Sequence, residues 1–137
     1  RLRERGYKSV LHVRELAYQQ VIYASDLSAA AGKQAMETLL AQEEQPDAVF
    51  AVSDSLAAGA LRAIAQAGMR VPEDIAVVGF DGTELAEVVS PQLTTVEQPS
   101  REIGRTAVTL LMKRIDNPDA AVERVMMDWR VISRASA

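Results

Sequence analysis

The sequence predicts an α/β fold, a Rossmann-like parallel sheet flanked by helices, and three observations carry that prediction. Two continuous apolar runs, DAVFAV (Asp47 to Val52) and DIAVVGF (Asp74 to Phe80), are rich in branched residues. Such runs suit parallel strands covered on both faces. The stretch between them, from about Ser55 to Ala67, is helical in character and stops at Gly68 with Pro72 close behind, so strand, helix and strand form one right-handed crossover. A third β-branched run, LTTVE (Leu93 to Glu97), is closed by Pro99 and followed by a second long amphipathic stretch.

The remaining elements follow in order. Arg1 to about Val13 has helical spacing but no cap before it, so the chain is expected to open inside an element. QQVIYA (Gln19 to Ala24) is expected to be a short strand, and Asp26 or Ser28 to cap a helix that runs to about Ala41 with Met36, Leu39 and Leu40 on one face. TELAEVVSP (Thr83 to Pro91) allows a short helix ended by proline. Ser100 is expected to cap a helix whose apolar stripe is Ile103, Ala107, Leu110, Leu111 and Ile115. DNPDAA is a loop, and ERVMMDWRVISR (Glu123 to Arg134) reads as a last strand with imperfect alternation. No internal repeat or linker divides the chain, which is one α/β unit.

Composition narrows the function classes. A chain of 137 residues with 48% hydrophobic and 25% charged residues has the balance of one soluble domain with a real core. No apolar run is long enough to cross a bilayer, and the N-terminus has no signal-peptide core, so a cytoplasmic chain is expected. The absence of cysteine removes disulfides, thiolate metal sites and a cysteine nucleophile. A net charge of −4 argues against this segment gripping a phosphate backbone.

In open parallel sheets ligands sit beyond the carboxyl ends of the strands, where Ser53, Asp54 and Asp81 are expected. Asp before a helix is a favoured cap, so capping ranks ahead of ligand contact at Asp54. At Asp81 the balance reverses, because it follows a wholly apolar strand and Gly82 leaves the backbone open to close approach; turn formation by Asp-Gly is the plain alternative. His12 is the only histidine and sits on an early helix, which suits a surface or packing role better than a general base. Asp26, Asp54 and Asp81 lack a dense ligand loop, so neither a metal nor another cofactor is expected. No GxGxxG follows a strand and no GxxxxGK[ST] occurs. Phe80 and Trp129 are expected in core or pocket-edge packing.

PDAVFAVSDSLAAGALRAIAQAGMRVPEDIAVVGFDG, followed by SPQLTTVEQPSREIGRTAVTLLMKRI, resembles the C-terminal effector-binding part of bacterial regulators of the lactose-repressor (LacI/GalR) family. The resemblance covers essentially the whole chain. It implies the C-terminal lobe of a type I periplasmic-binding-protein-like domain, with a helix-turn-helix headpiece and most of the first lobe outside residues 1–137. It further implies a repressor that binds a small polar effector such as a sugar, forms a homodimer, and meets operator DNA only through the headpiece, with no membrane partner and no chemistry on the ligand. RLRERGY resembles the family's R..GY, whose arginine, here Arg3, reaches into the crevice. The family's Asn-Asp pair is Ser53-Asp54, where serine shortens one arm and loses a donor, and the GFD aspartate is Asp81, followed by Gly82 where a second acid is commoner; the resemblance implies that Asp81 binds effector while Asp54 mainly shapes the corner. Leu27 and Ser100 stand where some relatives place an aromatic. The resemblance also implies that the helix after Pro99 crosses to the first lobe, with Gln98 and Pro99 near the hinge.

Family members dimerise through this lobe, and helix geometry groups Ala58, Arg62 and Gln66 on one stripe, with Leu85, Val88 and Val89 able to add apolar area. Ordinary core packing is an equal account of the last three. A periplasmic sugar-binding protein and a Mg²⁺-dependent doubly wound enzyme using Asp54 and Asp81 are the competing readings. RVPEDIAVVGFD favours the regulator.

Overall fold

The computed structural model describes residues 2–16 and 20–137. Its elements run α1 (Leu2–Val13), α2 (Ala29–Leu40), β1 (Ala48–Phe50), α3 (Asp54–Gln66), β2 (Ala76–Asp81), α4 (Leu85–Val88), β3 (Thr94–Glu97), α5 (Ser100–Asp116) and β4 (Arg130–Ile132). The strands form one sheet in the order β1-β2-β3-β4. β1, β2 and β3 are parallel, in the register Phe50↔Val78 and Asp81↔Glu97, and β4 returns antiparallel against β3. The α/β class is therefore as the sequence predicts.

The core lies between α2, α3 and one face of the sheet, around Met36, Ile64, Ile75, Val77 and Leu93, each at most 1% exposed. α2 and α3 cross with almost no separation. A Cβ on Gly32 would stand 2.2 Å from the Leu56 carbonyl oxygen, and one on Gly59 would stand 2.0 Å from that of Ala29. Reciprocal glycines thus let the two backbones touch.

Several expected elements differ. Residues 20–24 form no strand, and residue 19 lies outside the described residues. This segment and β1 both line a cleft that runs along the open edge of the sheet, so no ladder joins them. The second face of the sheet is half-exposed at Ala76, Val78 and Phe80, so the apolar runs are closed on one face only. The final strand is three residues long, because in its antiparallel register anything before Arg130 would have to pair beyond Glu97, where Pro99 offers no N–H and α5 begins. Trp129 precedes that pairing and is 68% exposed, outside the core, the first of the two places, core or pocket edge, expected for it. Ser100 opens α5 but does not cap it: Pro99 holds the N-cap position and no side chain caps the helix. The stripe of α5 is present, yet none of its residues is buried and Ile115 is 60% exposed. Among the described residues no helix is long and apolar enough to cross a membrane.

The C-terminus closes the far end of the β2–β3 ladder. Ser136, with no exposed surface, accepts from the Thr94 amide through Oγ at 2.8 Å and donates to the Val77 carbonyl at 2.6 Å, while its own carbonyl accepts from the Val77 amide at 2.7 Å. One serine side chain stitches two parallel strands.

Candidate functional site

Parallel pairing brings the carboxyl ends of β2 and β3 side by side, so the register Asp81↔Glu97 sets Gln98 next to Asp81. The Gln98 Nε2 donates to Asp81 Oδ1 at 2.7 Å, and the Gln98 amide reaches the Asp81 carbonyl at 3.3 Å. α1 contributes Arg3, whose Nη2 lies 3.4 Å from Asp81 Oδ1 and whose Nη1 donates to the carbonyl of Val52, two residues past the end of β1. The guanidinium carbon stands 3.8 Å from the centroid of Phe80, and Phe80 meets Phe50 edge-on with centroids 6.3 Å apart. A cation lies over an aromatic face and beside a carboxylate, an arrangement that fixes the arginine while leaving donors to spare. The Asp81 side chain is 32% exposed, and among the described residues Oδ2 accepts no hydrogen bond.

Asp81 has φ of +112°, in the region that disfavours residues with a Cβ. That conformation costs on the order of 1–3 kcal/mol and persists only where its surroundings enforce it. The next residue, Gly82, has φ of +70°, and a Cβ there would lie 2.6 Å from the Glu97 Cα. The room that glycine leaves is taken by the backbone of β3. This corrects the expectation that it opens the turn to a ligand.

Ser53 and Asp54 are deeply placed. Ser53 caps α3, with Oγ accepting from the Leu56 amide at 3.2 Å. Asp54 is the first helical residue rather than the cap, which corrects the reading from residue type; the hydroxyl of Ser53 reaches the free amides first. The Asp54 carboxylate turns inward, 1% exposed, to accept from the Thr95 hydroxyl at 2.6 Å, the Thr83 amide at 2.6 Å and the Thr83 hydroxyl at 2.9 Å. Of the four candidate contacts, Arg3 and Asp81 are brought together at an accessible corner, while Ser53 and Asp54 lie beneath it.

Gln98, Thr83 and Thr95 were missed as site residues. Gln98 was available from register, since a residue following a parallel strand faces the end of its neighbour. The threonines were not, because their roles depend on where Asp54 points.

A cleft of about 740 Å³ lies between α1, α2 and the outer edge of β1, with Arg3, Phe50 and Val52 among its lining residues. Val21, Ile22, Met36, Leu39 and Val49 give it an aliphatic lining that suits packing rather than a polar ligand, and Arg3 stands at its rim. No three His, Asp or Glu side chains among the described residues gather closely enough to hold a metal ion, and Asp26, Asp54 and Asp81 form no such group.

Of the residues considered for a dimer contact, Ala58 is half-buried on α3 while Arg62 and Gln66 are exposed; on and after α4, Leu85 is half-buried and Val88 is 77% exposed. Val89 packs against the core.

The family described as periplasmic binding protein-like domain matches residues 1–137. The ribose operon repressor of Haemophilus influenzae is 37% identical over 135 residues, 98% of this chain and 41% of that protein. Among solved structures, a transcriptional regulator CelR–cellobiose complex superposes with a TM-score of 0.90 at 36% identity, covering 96% of this chain and 41% of that one. A LacI family regulator of Enterococcus faecium with bound ribose gives a TM-score of 0.82 at 35% identity over 96% of this chain and 49% of that one. The chain thus spans about two-fifths of the length of the curated relatives it matches. With the parallel sheet and the Arg3–Asp81 corner in place, the chain belongs to the periplasmic binding protein-like family, as an effector-binding domain of the LacI/GalR type.

Proposed function

We propose that residues 1–137 form the ligand-sensing and dimerising part of a cytoplasmic transcriptional repressor that binds a small polyhydroxylated effector, a sugar, and performs no chemistry on it. The observation that carries this reading is Asp81: a half-exposed carboxylate in a strained backbone conformation, with Oδ1 held by Arg3 and Gln98 and Oδ2 accepting no hydrogen bond among the described residues, beside the Phe80 ring. A carboxylate so held accepts from a pair of sugar hydroxyls, the spare Arg3 donors take a ring or hydroxyl oxygen, and Phe80 offers an apolar wall. The relatives solved with ribose and cellobiose support the sugar class. Binding at this corner would favour one arrangement of two lobes over another and so alter the spacing of DNA-binding headpieces outside residues 1–137. Dimer contact falls to the α3 stripe of Ala58, Arg62 and Gln66 with Leu85 and Val88 beside it.

The test is a thermal-shift screen of the intact protein against pentoses, hexoses, disaccharides, sugar phosphates and amino acids, with Asp81→Ala in parallel. A ligand that binds only the folded state at a hundred times its Kd stabilises by about 2.7 kcal/mol. A sugar hit lost in Asp81→Ala is the expected result. A hit retained in that variant removes Asp81 from the site.

A further inference from the structure

Asp54 is a fully buried carboxylate that the proposed binding site does not use, and its surroundings are built for it. A Cβ at Gly79, in the middle of β2, would stand 2.5 Å from Asp54 Oδ1 and 2.7 Å from Leu93 Cδ2. The glycine is therefore a notch in the strand through which the carboxylate reaches across to β3. There Oδ1 takes the hydroxyl of Thr95, itself wholly buried, while Oδ2 takes both the amide and the hydroxyl of Thr83. Three elements, the start of α3, strand β3 and the turn after β2, meet on one side chain. The N-terminus of α3 adds its partial positive charge beneath the carboxylate.

Thr83 is two residues beyond Asp81, and between them lies Gly82, also at positive φ. With Asp81 fixed upstream by the β2–β3 ladder and Thr83 fixed downstream by Asp54, the intervening backbone has little freedom. We infer that Asp54 is a positioning residue for the effector site: its carboxylate, anchored on Thr95, holds the Thr83 end of the turn and so keeps Asp81 aimed at the corner it shares with Arg3. This inference rests on the effector reading of Asp81 given above. Thr83 is exposed, so without Asp54 its amide would turn to water and the turn would loosen without orphaning a buried group.

The experiment uses the intact protein and three variants, with D-ribose as the probe and amide hydrogen exchange at Gly82 and Thr83 as a second, ligand-independent readout. Asp54→Asn can keep the arrangement, with its oxygen towards Thr83 and its NH₂ donating to the Thr95 hydroxyl, which accepts as readily as it donates. Asp54→Ala cannot. The expected result is Thr83 exchange and ribose affinity near wild type for Asp54→Asn, against about tenfold faster exchange and about tenfold weaker binding for Asp54→Ala, read well below its melting temperature. Should Asp54→Ala not fold, Thr95→Val removes the anchoring bond alone and should loosen the same turn to a lesser degree. Wild-type protection of Thr83 in a folded Asp54→Ala or Thr95→Val overturns the inference, and so does a melting-temperature loss with turn and affinity unchanged. If ribose fails to bind the wild type, the ribose form of the effector reading falls, and Thr83 exchange alone decides the role of Asp54.

Discussion

Replacing Ser136 by alanine removes one oxygen atom from the next-to-last residue of the chain, and the structure predicts a large effect for so small a change. That hydroxyl stands between the Thr94 amide at 2.8 Å and the Val77 carbonyl at 2.6 Å, with no exposed surface. Both partners are backbone groups at the start of the β2–β3 ladder, and the vacancy left by one hydroxyl is too small to admit a water molecule. Leaving a buried polar group unmatched costs about 1–3 kcal/mol. Two such groups, softened by some closing of the ladder, give an expected loss of about 2–4 kcal/mol. For a domain of this size that lowers the melting temperature by roughly 10 °C. Thermal and urea unfolding followed by circular dichroism measures it, with Ser133→Ala, at an exposed position, as a control expected to stay within about 0.5 kcal/mol. A Ser136→Ala protein within about 0.5 kcal/mol of wild type would refute the stitch.

Asp74 should titrate far below its usual range, at about 2, because the Arg70 side chain donates to both its oxygens and the Arg70 amide adds a third bond. Since folding depresses this pKa, its contribution is present above the unfolded value of about 3.8 and disappears as pH falls through about 2; carboxyl ¹³C titration should show the Asp74 midpoint return towards 3.8 in Arg70→Ala. At the proposed dimer surface, Val88→Asp puts a charge on a side chain that is 77% exposed in the lone chain. It should weaken the dimer by about tenfold or more in light scattering, and an unchanged dimer would exclude Val88 from the contact. Val89→Asp is a poorer probe, because Val89 packs on the core and its substitution would disturb folding as well.

What the sequence settled by itself is what periodicity and residue type encode locally. Two branched apolar runs around a capped helix specify strand, crossover helix and parallel strand without outside information, because a parallel neighbour must lie a crossover helix away, even though only one face of these strands is closed. Asp81 could be singled out the same way, as a charge ending an apolar strand. Tertiary structure decided everything that depends on which chain ends meet. Whether Ser53 or Asp54 caps α3 turned on the inward pull of Thr83 and Thr95, which are 29 and 41 residues from Asp54. Residues 20–24 have strand composition but join no ladder among the described residues, and the last strand ends where its partner reaches Pro99. The stripe of α5 was legible as a pattern, yet none of its side chains is buried among the described residues. Ser136, in a tail reading only Ala-Ser-Ala, carries one of the most deeply buried hydroxyls in the molecule. A hydrogen bond across the fold leaves no periodic trace in the sequence, because it is specified by two distant positions whose proximity exists only after the sheet has formed.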